Sequence, residues 1–79
     1  MRSLARIGFD RLIEMHSTMD VVNVEWQADG PWMLVTLGQP STSDPDVFAR
    51  YPFAIFKRTG AVHGMNEHGA VHDEPLLSV

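Results

Sequence analysis

Seventy-nine residues, 44% hydrophobic and 20% charged, with no cysteine and a formal net charge of −4, describe one small soluble domain. A chain this short buries only about 60–65% of the surface its unfolded form exposes, which excludes a second core and a deeply enclosed active site. No disulfide framework or thiolate zinc site is possible, and six Lys/Arg against ten Asp/Glu is the wrong balance for a protein that binds nucleic-acid phosphates.

Charges at Arg2, Arg6, Asp10 and Arg11 interrupt the N-terminal stretch too often for a signal peptide, and no run approaches the roughly 20 apolar residues of a membrane span. The expectation is a cytoplasmic protein without a membrane partner. Residues 59–79 hold Glu67, Asp73 and Glu74 with no Lys or Arg, an acidic end that argues further against direct nucleic-acid binding.

The first predicted element is a helix over Ser3–Thr18. At 100° per residue Leu4, Ala5, Phe9, Leu12, Ile13, Met15, His16 and Met19 share one half of the wheel, and Ser3, Arg6, Asp10, Arg11, Glu14, Ser17 and Thr18 the other. Ser3 suits the N-cap, and Arg6 with Asp10 has the spacing of an (i, i+4) pair. Gly8 costs about 1 kcal/mol of helix propensity, which predicts close packing at that point, with a sheet as the expected neighbour.

From Val21 the period becomes two. Val22, Val24 and Trp26 alternate with Asn23, Glu25 and Gln27, a strand with one dry face. Ala28-Asp-Gly-Pro31 supplies a turn and Trp32–Leu37 a second strand, giving an antiparallel hairpin over Val21–Leu37. Gly38–Asp46 reads as a polar loop. It leads into a helical turn through Val47, Phe48 and Ala49, with Asp44 as N-cap and Pro45 at the first helical position, ended by Pro52. Phe53–Phe56 and Ala61–Met65 form a second hairpin whose Gly60 can take φ > 0. A reversal at 66–69 precedes a short strand at 70–73, and Pro75 is expected to end its pairing. The fold class is therefore α+β: an N-terminal amphipathic helix on one face of a four- or five-stranded antiparallel sheet, forming a single domain over 1–79.

A single helix covers one sheet face, yet the second and third strands are apolar on both. If Val22, Val24, Trp26, Met33, Val35, Leu37, Phe53 and Ile55 lie under the helix, Trp32, Leu34 and Phe56 are left outside, with Lys57 and Arg58 at the rim. These five residues are the expected partner-binding site, and a patch of this kind marks an interface. The alternative is that the 38–52 loop, with Phe48 and Tyr51, or Leu76-Leu77, folds over this face. The enrichment of Trp at hot spots favours binding, and the expectation is a self-associating chain, a homodimer or a subunit of a larger assembly, with another protein as the other occupant. A sheet edge offers strand addition as another route.

His63, His68 and His72 fall within ten positions, beside Glu67, Asp73 and Glu74. With Glu67-His68 as a two-residue turn, His63 faces His72, a pair that with a nearby carboxylate can hold zinc. With His68-Gly69 as the turn, Met65 meets His72, His63 meets Glu74 and the site disappears. A histidine-based metal or small-ligand module is thus the alternative function, with His63 and His72 as its candidates. His16 reads as a boundary residue of the helix. The serines lack a nucleophile elbow, the glycines form no phosphate cradle, Asp44 and Asp46 suit helix capping, and the methionines read as core. No catalytic residue or cofactor is expected. An enzyme subunit with a shallow pocket between helix and loop is a third reading, to which no residue assigns a substrate.

The segments Pro52-Phe-Ala-Ile-Phe56, Thr59-Gly-Ala-Val-His63, Gly69-Ala-Val71 and Asp73-Glu-Pro75, about the last third of the chain, resemble a recurring pattern in small uncharacterised proteins of actinobacteria and their phages. The strand-Thr-Gly-strand hairpin also resembles those of PepSY-type domains and YrhB-type immunity proteins, which share a helix-then-sheet order. The resemblance implies a non-enzymatic accessory, inhibitor or immunity-type protein that binds another macromolecule, and it carries over no site residues.

Overall fold

A computed structural model of the chain describes residues 2–78. Helix α1 spans Leu4–Met15, and strands β1 (Asp20–Trp26), β2 (Trp32–Pro40), β3 (Phe48–Phe56), β4 (Val62–Met65) and β5 (Val71–Leu77) follow it. The strands form one antiparallel sheet in the order β1-β2-β3-β4-β5, with the helix packed on one face. The α+β class expected from the periodicity is therefore the observed one.

The helix starts as its sequence dictates. Ser3 is the N-cap, its hydroxyl accepting the Arg6 N–H at 3.1 Å, and Asp10 receives both Arg2 and Arg6 on the wet side. It stops at Met15, three residues earlier than expected. His16 leaves helical geometry, and Ser17 and Thr18, which compete for backbone hydrogen bonds outside helices, lie in the turn into β1. Gly8 is buried against the β3–β4 turn: a Cβ built on it would lie 2.1 Å from the Gly60 carbonyl oxygen and 3.1 Å from Ile55. The missing side chain is what lets the helix dock at this height.

Two expectations fail around the middle of the chain. Gly38, Gln39 and Pro40 continue β2 instead of opening a loop, and Phe48 and Ala49 begin β3 instead of a helical turn. Pairing runs unbroken from Trp32↔Phe56 to Pro40↔Phe48. The tip is closed by the Ser41 N–H on the Val47 carbonyl, at 2.7 Å. Within it the Val47 N–H reaches the Asp44 carbonyl and the Asp44 carboxylate accepts the Asp46 N–H. A side-chain acceptor followed by Pro suits a β-turn as well as a helix start, and nine paired positions decide in favour of the turn. The 38–52 segment accordingly lengthens the sheet and does not fold over it.

Strand β5 also runs further than expected, through Pro75 to Leu77. Proline is tolerated because β5 is an edge strand. The turn before it has a third form: Asn66 accepts from the amides of His68 and Ala70, Gly69 takes φ +83°, and Met65 pairs with Val71.

The core lies between helix and sheet: Ala5 and Leu12 meet Met33, Val35, Leu37, Phe53, Ile55 and Val62, with Phe9, Ile13, Met19 and Leu77 at its margin. The helix contacts β3, β4 and β5. Val22, Val24 and Trp26, expected beneath it, are exposed, as is every other residue of β1. A helix about 10 Å wide cannot shield five strands about 4.8 Å apart, and its anchor at Gly60 holds it away from β1.

Candidate binding surface

The face opposite the helix is built from Trp32, Leu34, Thr36 and Gly38 on β2, from Phe48, Arg50, Pro52, Ala54 and Phe56 on β3, and from His63 on β4, which share a side by their register. No described element lies over it. Even so, Trp32, Leu34 and Phe56 are half-buried. The Trp32 ring meets Phe56 edge-on at 5.2 Å and reaches His63 at 5.2 Å across the intervening β3 strand, whose Ala54 is fully buried. The small residue at the centre is what gives the indole room to lie there.

Lys57 stands on the other side of the sheet. Its Nζ donates to the carbonyls of Gln27 and Gly30, the latter at 2.8 Å, and sits 4.4 Å from the centre of the Trp26 ring. It ties the β1–β2 turn to β3 and is not a rim cation beside Trp32. Arg58 is exposed in the β3–β4 turn. Of the five residues expected to form one patch, the structure brings three together.

His63 and His72 approach each other without forming a ligand pair. His63 faces Pro75 in the register, and its Nδ1–H donates to the main-chain carbonyl of His72 at 2.8 Å. The two rings, with Trp32, Val71 and Asp73, line a hollow of about 300 Å³. No group of three or more His, Asp or Glu side chains converges among the described residues. His68 lies in the turn beside Glu67, both highly exposed, and His16 packs its ring on Phe53 at 5.6 Å. An apolar groove of about 290 Å³ lies between Leu12, Met15 and His16 on the helix side and Leu76 and Leu77 of β5.

The strand with the most exposed apolar residues is β1. Val21, Val22, Val24 and Trp26 are each at least 40% exposed, and Trp26 reaches 57%. Val22 is an extra residue in the register between Val21 and Asn23, and one of its methyl groups occupies, with the Phe48 ring, the space that a side chain at Gly38 would need. From Asn23 to Trp26 the ladder is regular. The Gln27 N–H donates to the carbonyl of Trp32, its opposite number, at 3.3 Å. Antiparallel pairs alternate between bonded and non-bonded, so Glu25 directs its backbone groups at β2 while Val24 and Trp26 direct theirs outward from the sheet. Reading the sequence misses this because an alternating strand looks the same whether or not the helix reaches it.

No family model matches the chain, and no curated protein or solved structure is detectably similar to it. Among the described residues, no helix is long and apolar enough to cross a membrane.

Proposed function

We propose that this protein is a non-enzymatic accessory factor that works by binding another polypeptide, and that the β1 margin of its sheet is the contact surface. The observation that carries this reading is the exposure of all seven residues of β1, three valines and a tryptophan among them. Isolated exposed apolar residues are ordinary, whereas Val24 and Trp26 neighbouring each other on one side of an unpaired sheet edge make a docking surface or an aggregation hazard. Trp26 is suited to the role because Lys57 stacks on its ring and holds it in place before a partner arrives, which lowers the ordering cost of binding. Leu34 lies beside Glu25 on the opposite face, next to Trp32, so a partner gripping the edge can also touch the half-buried cluster that includes Phe56.

Site-specific photo-crosslinking tests this reading. A photoreactive residue placed at Trp26 or Val24 and activated in the native cell is expected to yield an adduct of defined mass, while the same residue at Arg11, on the solvent side of the helix, yields none. Absence of any adduct from β1, or equal labelling from Arg11, contradicts the proposal.

A further inference from the structure

The partner's chemistry can be taken one step further, resting on the reading of β1 as the contact surface. We propose that β1 accepts an extended strand that places a cationic residue opposite Glu25 and apolar residues opposite Val24 and Trp26, and that Glu25 prevents the edge from pairing with a second copy of itself. Strand addition requires outward backbone donors and acceptors, and Val24 and Trp26 supply them at consecutive outward positions. An incoming antiparallel strand forms bonded pairs with these two residues. Its residue opposite Glu25 then falls in the non-bonded position, where side chains approach most closely and opposite charges attract.

The side chains set the alternation. Val24 and Trp26 lie on the helix side of the sheet, with Val35 and Met33 as their partners, and Glu25 lies on the other side against Leu34. A fitting strand is therefore apolar on the helix side and basic behind. Among the described residues Glu25 makes no ion pair and no side-chain hydrogen bond, so its charge is unspent. The net charge of −4 favours a cationic visitor further.

Self-pairing meets the same residue as an obstacle. The two-fold register that uses both outward positions sets Val24 against the copy's Trp26, which is favourable, and Glu25 directly against its own counterpart, which is not. Sliding two residues one way runs into the extra residue Val22, and sliding the other way into the turn that begins at Ala28. The opposite edge is blunted by other means: β5 contains Pro75 and two breaks in register. In β1 a single carboxylate takes that role and also selects the visitor.

Two seven-residue probes of identical composition and net charge test the proposal: acetyl-Glu-Thr-Val-Lys-Val-Thr-Lys-amide and acetyl-Lys-Thr-Val-Glu-Val-Thr-Lys-amide. Titrated into the ¹⁵N-labelled protein, the probe with central Lys is expected to bind at least tenfold more tightly. It should slow amide exchange at Val24 and Trp26 at least tenfold, while Glu25 and Gln27 are unchanged. Glu25→Lys, an exposed change whose folding is checked by its melting curve, should reverse the preference. Equal affinity for the two probes, no binding of either, protection at β5 instead, or a wild-type protein that is dimeric through β1 overturns the proposal. Crosslinks from Trp26 without a probe preference would leave the binding reading standing and remove only the strand-addition reading.

Discussion

The two edges of the sheet are built to opposite specifications. β5 is irregular, contains Pro75, shifts register twice and lies against the helix, which buries Leu77 at the core margin. β1 is regular from Asn23 to Trp26, contains no proline and stays outside the helix's footprint. One edge carries a proline, two register breaks and the helix against it, and the other carries the exposed Glu25 and a single bulge at Val22. The difference teaches where this small chain spends its single helix: on closing β3, β4 and β5, with the apolar surplus left at the other end of the sheet.

The comparison is tested most severely in the covered half. Leu12→Ala and Ile55→Ala remove fully buried side chains of the core, one from the helix and one from β3, and are expected to cost about 2–5 kcal/mol each, read from denaturant unfolding. A cost below about 1 kcal/mol would mean the helix is not closed on the sheet. Gly8→Ala sharpens the same point through its sign. In a free helix the change gains about 1 kcal/mol, but here the new methyl meets the Gly60 carbonyl oxygen, so a net loss of about 1–3 kcal/mol is expected. A stabilised Gly8→Ala variant would show that helix and turn do not touch.

On the β1 side the expected effects shrink. Lys57→Ala removes two donations to turn carbonyls and the stack on Trp26, for an expected loss of about 1–2 kcal/mol and altered Trp26 fluorescence. Val24→Thr, on an uncovered strand, should change stability by less than about 0.5 kcal/mol while weakening any partner's grip. A large loss of stability there would place Val24 in the core and remove the contrast between the edges.

Much of the fold was legible because its signals are local. Ser3, the Arg6–Asp10 spacing and the turn at Gly60 each act within a few residues, and each appears as read. The period of two from Val21 does give a strand, but its expected dry face is exposed and the bulge at Val22 breaks the alternation, and Leu4 and Met15 of the helix's apolar half are exposed as well. The close approach at Gly8 was legible as well, though its neighbour is the β3–β4 turn. What sequence could not resolve depends on long-range choices. Asp44-Pro45 suits a helix start and a β-turn alike, and the β2–β3 ladder decides between them. Pro75 forbids a central strand but not an edge one, and strand order is not written at Pro75.

The candidate surface was legible in kind and not in place. The chain has more apolar residues than one helix can conceal, and several remain exposed in the structure. A helix lying over the first hairpin would leave the surplus at Trp32, Leu34 and Phe56. Docked at Gly60, the helix exposes Val24 and Trp26 instead, while Trp32 folds across Ala54. The position of the helix, set by a contact 52 residues apart in sequence between Gly8 and Gly60, decides which apolar residues are free.

Sedimentation equilibrium of the wild type and of Glu25→Val tests the central claim most directly. A monomeric wild type and a Glu25→Val variant that dimerises in the same concentration range are the expected results. Adding Val24→Pro, which deletes an outward-facing donor and leaves the bonds to β2 intact, should return the variant to monomer. A wild type that dimerises through β1, or a Glu25→Val variant that stays monomeric, would contradict it.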